Sequence, residues 1–237
     1  DILDRNMGEL IVQSGNPLLS GATVMDGGVN FTVYSKNATR VVIYFFDRDD
    51  AVQPSEIYEF DPVTNKTGDL WHCFVQGKGE GTLYLYRVDG PYVPPEGHRF
   101  NFVKYLLDPC AKAFTRGSVF RSYNKQRASG LAGIQNGELQ DLSDFPKCVV
   151  VDDKNFDWEG DKPLNYPLKD TVIYETHVKG FTASETSGIS VEEGRGTYKG
   201  FQKKIQHLKD LGITSVELLP IFEFDENENG NENPRTG

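Results

Sequence analysis

Two carboxylates and a histidine, near residues 175 and 217, are the residues of this sequence best suited to catalysis or metal binding. Glu175 and His177 are two residues apart in the strand-like segment 171–178, so their side chains are expected on the same face. Glu217 lies in a second strand-like segment and can face them from a neighbouring strand. A carboxylate–imidazole set can transfer protons or hold a metal ion. The alternative is a hydrogen-bonded polar cluster, because buried charges need partners.

Trp71 is the candidate substrate-binding residue, and it is one of only two tryptophans in the chain. An exposed indole face can stack on a sugar ring, whereas a buried one would anchor the core between two sheets. The same two interpretations apply to Tyr44, Tyr84 and Tyr86. The sequence alone leaves both open.

Two further patterns do not indicate a site. Residues 77–81 read Gly-Lys-Gly-Glu-Gly, but they precede a strand rather than the helix that a phosphate loop needs. His72 and Cys73 lack a second ligand pair for zinc. The three cysteines, Cys73, Cys110 and Cys148, are an odd and widely spaced set, which indicates free thiols in a reducing compartment. We expect no cofactor and no metal.

Composition narrows the class of partner. The chain has 237 residues, enough for two ordinary domains, and a formal net charge of −10. This charge argues against nucleic acid or an anionic membrane as partner and suits a neutral polymer such as a sugar. No apolar run reaches a membrane span and no signal-peptide pattern is present, so we expect an intracellular or a trimmed protein. The Asn-X-Thr triplets at Asn30, Asn37 and Asn65 are therefore interpreted as chance.

Short β-type segments recur between residues 28 and 90. In the first of them apolar residues alternate with Asn30, Thr32 and Tyr34, the period of a half-buried strand. Five such segments separated by turns predict a β-sandwich over residues 21–112. Residues 1–20, with Gly15 and Pro17 near their end and Gly21 directly after it, are expected to form an extended arm.

Residues 170–220 predict a strand–helix–strand unit. A helix over 198–211 is indicated by Phe201, Ile205 and Leu208 on one face, with Thr197 and Gly212 as capping positions. The flanking strands, 171–178 and 213–219, would then be parallel. The polar, irregular residues 113–170 are expected to be a connector.

Three ordered blocks of this unit resemble a known family. They are Val-Ile-Tyr-Glu-Thr-His-Val-Lys-Gly-Phe-Thr at 172–182, Gly-Thr-Tyr-Lys-Gly-Phe at 196–201 and His-Leu-Lys-Asp-Leu-Gly-Ile-Thr-Ser-Val-Glu-Leu-Leu-Pro at 207–220. They resemble the start of the catalytic barrel in the alpha-amylase superfamily, most closely in its isoamylase and glycogen-debranching group. The resemblance implies that residues 171–237 are the truncated start of a (β/α)₈ barrel. Glu175 and His177 would then lie in the middle of a barrel strand. This favours the polar-cluster interpretation, because the catalytic residues of such barrels lie at the carboxyl ends of the strands.

The upstream sequence resembles the same group. Residues 28–35, 68–72 and 84–91 are similar to the immunoglobulin-like module of carbohydrate-binding family forty-eight that precedes debranching barrels. Residues 97–101 and 106–112 resemble the segment that joins module to barrel, although Cys110 stands where the group usually has tyrosine. Residues 155–161 resemble a block that docks the module. The implied fold is multi-domain, an immunoglobulin-like β-sandwich followed by the first βαβ unit of an incomplete (β/α)₈ barrel.

The resemblance implies a debranching enzyme that hydrolyses α-1,6-glucosidic branch points of amylopectin or glycogen by a retaining mechanism. Its catalytic carboxylates follow later strands of the barrel, so we expect none before Gly237 and no activity from residues 1–237 alone. The expected partners are branched α-glucan and other isoamylase subunits. Residues 65–72 are more similar to plant and algal enzymes, which implies a plastid. The alternatives are a non-catalytic glucan-binding subunit, or a related branching or trehalose-releasing enzyme.

Overall fold

The computed structural model describes residues 10–117 and 142–222. These residues divide into a first unit that ends at Phe156 and a second unit that begins at Asp157. The first unit is a β-sandwich and the second is a short α/β segment. The predicted order of a β domain before an α/β segment is therefore confirmed.

Two antiparallel sheets form the first unit. One contains β1 (Val12–Gln13), β2 (Gly21–Met25), β3 (Gly28–Tyr34), β6 (Lys66–Thr67) and β7 (Leu70–Gln76). The other contains β4 (Arg40–Phe46), β5 (Glu56–Glu59), β8 (Leu83–Asp89), β11 (Ala113–Phe114) and β12 (Cys148–Val149). A separate hairpin consists of β9 (Tyr92–Val93) and β10 (His98–Arg99).

The strand order is β1-β7-β3-β2 in the first sheet, with β6 also pairing β7, and β11-β12-β8-β4-β5 in the second. The inner faces of the two sheets share one apolar core. Phe31 of β3 packs edge-on against Phe45 of β4, with 5.4 Å between the ring centroids. Both sheets extend beyond residues 21–112, because β1, β11 and β12 pair with their strands.

The alternation of apolar and polar residues along β3 correctly predicts which side of the strand faces the core. Val29 and Phe31 point into the core opposite Val75 and Cys73 of β7. The opposite face is not solvated as a half-buried strand would be, since Asn30 and Thr32 are buried as well. The prediction of a half-buried strand is wrong here, because another segment covers this face.

The covering segment is residues 14–16 of the predicted arm, whose residues 1–9 lie outside the described part of the chain. Asn30 and Asn16 exchange two hydrogen bonds, from Asn16 N to Asn30 Oδ1 at 2.6 Å and from Asn30 Nδ2 to Asn16 O at 3.1 Å. The His72 ring donates from Nδ1 to Ser14 O at 2.5 Å, and its Nε2 shares a hydrogen bond with Thr67 Oγ1 at 2.9 Å. Since a carbonyl can only accept, the bond to Ser14 O places a proton on Nδ1 of His72. The arm thus satisfies the polar groups that it buries.

The second unit contains two parallel strands, β13 (Ile173–Thr176) and β14 (Ser215–Leu218). Its helices are α1 (Val178–Thr182), α2 (Tyr198–Gln202) and α3 (Ile205–Asp210). No helix in the described parts of the chain is long and apolar enough to cross a membrane.

The predicted single helix over 198–211 is wrong in one respect, because α2 and α3 are separate. Lys204 N donates to Phe201 O, only three residues back, so the regular four-residue ladder is interrupted there. Gly212 has the predicted positive φ, +82°. The hydroxyl of Thr197 makes no capping bond and donates instead to Gly194 O at 2.6 Å.

Candidate functional site

Trp71 lies on the inner face of β7 with 1% of its surface exposed. Its indole N–H donates to Ser35 O at 3.1 Å, and Lys66 Nζ stands 4.5 Å from the ring centroid. This placement corresponds to the core-anchor interpretation of Trp71. A sugar can reach the indole face only if the surrounding side chains, Lys66 among them, move.

The three candidate tyrosines are also buried. Tyr44 packs against Tyr105, and burial raises the pKa of its phenol. Tyr84 and Tyr86 lie on the same face of β8 and point into the core, with 5.8 Å between their ring centroids. None of the three presents a ring on which a sugar could stack.

The hydroxyls of Tyr84 and Tyr86 differ in their bonding. Tyr84 donates to the buried carboxylate of Asp108 at 2.8 Å, whereas the buried Tyr86 hydroxyl has no hydrogen-bond partner among the described residues. We expect Tyr84→Phe to destabilise the sandwich by about 1–3 kcal/mol, because it removes a bond from a buried carboxylate. We expect Tyr86→Phe to be neutral or stabilising by up to about 1 kcal/mol, because it removes a buried unsatisfied group. Urea unfolding of both variants checks this, and equal losses would contradict it.

Asp108 makes the stability of the sandwich depend on pH. Burial raises its pKa above the ordinary 3.8, while hydrogen bonds from Cys110 N and the Tyr84 hydroxyl lower it in part. The folded state therefore keeps this proton to a higher pH than the unfolded chain. As pH rises through the folded pKa, the carboxyl group loses the stability that it contributes below 3.8.

We therefore expect the wild-type protein to lose stability relative to Asp108→Asn as the pH rises. Unfolding free energies of both proteins from about pH 3 to about pH 7 provide the measurement. Asparagine keeps the shape and an acceptor oxygen but does not titrate over this range. A difference that grows in favour of the wild type with increasing pH would contradict the assignment.

Two aromatic residues on the surface of the sandwich were not among the sugar-binding candidates that the sequence indicated. Tyr34, at the end of β3, is 64% exposed, and Tyr92 of β9 is 68% exposed. Tyr34 shares the outer face of β3 with Asn30 and Thr32, so the alternation in the sequence already contained the signal for it. Tyr92 sits in a two-residue strand with no period to reveal it.

The carboxylate–histidine cluster of the second unit is only partly formed. Glu175 and Glu217 pair in register across β13 and β14 and are exposed. His177 lies beyond the end of the strand, where its Nδ1 accepts from Gly180 N at 3.1 Å and caps α1. The expectation that His177 shares their strand face is wrong, because the chain turns into the helix at this residue.

The remaining candidate motifs have structural roles. Lys78 in the loop 77–81 is paired with Glu56 and lies 4.8 Å from the Phe45 ring, so its amine is occupied. Cys73 and Cys148 are free and buried, and burial raises the pKa of Cys148 to about 12. Residues 10–117 and 142–222 contain no group of three or more side chains suited to a metal ion.

Comparison with known proteins agrees with this architecture. Residues 20–111 match the family described as carbohydrate-binding module 48, the isoamylase N-terminal domain. Solved structures share the fold, among them a pullulanase from Paenibacillus barengoltzii in complex with maltohexaose and alpha-cyclodextrin. That structure has a TM-score of 0.60 at 21% identity and covers 91% of this chain and 29% of its own.

Curated relatives match nearly the whole chain. The chain is 41% identical over 220 residues to the chloroplastic isoamylase 1 of Arabidopsis thaliana, covering 92% of the chain and 26% of the relative. It is 39% identical over 220 residues to a glycogen debranching enzyme of Yersinia pseudotuberculosis, covering 91% and 31%. It therefore spans about a quarter to a third of the length of these relatives. Over nearly its whole length the chain is similar to isoamylases and glycogen debranching enzymes, and its residues 20–111 match carbohydrate-binding module 48, the isoamylase N-terminal domain.

Proposed function

We propose that the chain is the amino-terminal part of an isoamylase-type debranching enzyme that hydrolyses α-1,6 branch points of amylopectin or glycogen. The observation that carries the proposal is the identity to plant isoamylases and bacterial glycogen debranching enzymes, which runs through both units. Within this assignment the sandwich associates with branched α-glucan. The second unit supplies the opening of the catalytic barrel.

The second unit has the features that a barrel opening requires. β13 and β14 are parallel and in register, as adjacent barrel strands are. Apolar side chains on both strands, including Ile173 and Val216, are exposed. Parallel sheets are normally covered on both faces, so these side chains suit burial by further strands and helices.

The chemistry follows from two carboxyl groups in the complete barrel. In retaining hydrolysis one forms a covalent glycosyl intermediate and the other acts first as acid and then as base. Glu175 and Glu217 lie mid-strand, so we assign them no part in this chemistry and place the catalytic pair after later strands.

The setting is proposed on the same basis. Plant relatives carry the designation chloroplastic, which supports a plastid location if the source is a plant or an alga. Assembly with like or different isoamylase subunits belongs to the proposal as well.

The test is release of linear chains from amylopectin by the complete protein, with the 237-residue chain as an inactive control. Debranching is expected to increase reducing ends and to remove α-1,6 linkages from the proton spectrum of the glucan. Glucan binding without chain release would instead identify a non-catalytic subunit. New branches or released trehalose would identify a related enzyme of the superfamily.

A further inference from the structure

A cavity of about 380 Å³ opens at the end of the sandwich, beside the last residues of β3. Val33, Tyr34 and Ser35 line one side of it, and residues of the segment 99–109 line the other. This volume lies within the range of about 300–1,000 Å³ that small-ligand sites occupy.

The segment that forms the second wall is held in place by the sheet. Leu106 exchanges backbone hydrogen bonds with Tyr86 at 2.8 and 3.0 Å, and the Arg87 guanidinium donates to Phe102 O. The ring of Phe100 lies so close to Gly90 that a Cβ there would come within 2.7 Å of it. The wall is thus built before any ligand arrives, which lowers the entropic cost of binding.

The charge of the cavity is opposite to that of the chain. Arg99 and Lys104 line it, and the described lining residues include no carboxylate. Neither cation has an ion-pair partner among residues 10–117 and 142–222, whereas Arg40 and Arg48 are each paired with an acidic neighbour. Apolar side chains, among them Leu106 and Leu107, line the cavity beside these two cations. In a chain of net charge −10, such a pair of cations favours binding of an anion at this place.

An exposed aromatic ring stands beside these cations. Tyr34 presents 64% of its surface and lines the same cavity, where Asn101 supplies a further polar group. An aromatic face with a polar tip is suited to the apolar face and the hydroxyls of a pyranose ring. The two features together describe a sugar that carries a negative group.

We propose that this cavity binds a glucosyl unit bearing a phosphate, with the phosphate at Arg99 and Lys104 and the sugar ring against Tyr34. The sugar part rests on the proposed function, since a glucan-associated module meets glucosyl units. The phosphate part rests on the unpaired cations alone. A phosphorylated glucan and a free sugar phosphate share this chemistry.

Calorimetric titration of the 237-residue chain with four probes tests the proposal. The probes are maltohexaose, maltohexaose phosphorylated on one glucosyl unit, glucose 6-phosphate and inorganic phosphate. Phosphorylated maltohexaose is expected to bind about tenfold or more tightly than maltohexaose, because the phosphate gains charge-assisted hydrogen bonds. Glucose 6-phosphate binding as tightly as the phosphorylated oligosaccharide would identify a free sugar phosphate as the ligand, and much weaker binding would identify the glucan.

Variants separate the two parts of the cavity. Arg99→Ala is expected to abolish the preference for phosphate, and Arg99→Lys to keep part of it, because lysine retains the charge but not the bidentate geometry. Tyr34→Ala should weaken neutral and phosphorylated maltohexaose by similar factors. Lys162→Ala, which removes an exposed cation in the second unit, is the matched control and should change nothing.

Several outcomes would overturn the proposal: equal affinity for neutral and phosphorylated maltohexaose, no binding of either, inorganic phosphate binding as tightly as the phosphorylated sugar, or no effect of Arg99→Ala. Chain release by the complete protein is measured separately. Failure there would remove the debranching assignment, whereas failure of the titrations would remove only the phosphate site.

Discussion

Lys147→Met is expected to destabilise the sandwich by about 3–5 kcal/mol. Lys147 is fully buried, and its ammonium group donates to the carbonyl oxygens of Asp49 at 2.5 Å, Leu142 at 2.7 Å and Phe145 at 3.2 Å. It also lies 5.2 Å from the Phe46 ring centroid. Methionine fills a similar volume but cannot donate, so the carbonyl groups would lose their bonds to this cation.

Urea unfolding followed by tryptophan fluorescence measures this loss, because Trp71 is buried in the same unit and its emission shifts when the core opens. Lys154→Met is the matched control. Lys154 is exposed, and its side chain makes one described hydrogen bond, to Val24 O at 3.3 Å, so the expected cost is within about 0.5 kcal/mol. If the two variants unfold at the same urea concentration, Lys147 does not join these segments.

Gly15→Ala is expected to cost about 2–4 kcal/mol and to release the arm from the sheet. Gly15 has φ +77°, and a Cβ there would lie 2.6 Å from the backbone carbon of Cys73 and 2.8 Å from Asn30 Oδ1. Since the obstacle is backbone, no rotamer change relieves it. The arm must move away, and the hydrogen bonds of Ser14 and Asn16 are lost with it.

Gly27→Ala provides the comparison, because Gly27 has nearly the same φ, +78°, but nothing within 4 Å of its added Cβ. Its expected loss of stability is only the cost of placing a non-glycine residue at positive φ, about 1 kcal/mol. Hydrogen exchange at residues 14–16 distinguishes the two variants, since only Gly15→Ala should expose these amides. Equal costs and unchanged exchange would show that the arm tolerates a side chain at residue 15.

Local sequence patterns predicted the structure correctly where residues close together in the chain determine it. The alternation in β3 identifies its core-facing side, and Gly212 marks the end of a helix, because each depends on residues within one or two turns of chain. The same holds for the parallel pair β13 and β14, whose connecting segment is long enough for a helical crossover. The family resemblance, which extends through both units, did not depend on the tertiary structure either.

The candidate sites depended on contacts that local patterns do not encode. The pattern could not say that Trp71 is a core anchor, that residues 14–16 cover the outer face of β3, or that Cys148 pairs with Tyr84. Nor could it place Arg99 and Tyr34 around one cavity. The sequence by itself therefore determined the order of the elements, the inner face of β3 and the family resemblance, because those follow from local period and motif. Only the tertiary structure decided which polar and aromatic side chains are buried, since burial depends on segments that lie far away along the chain.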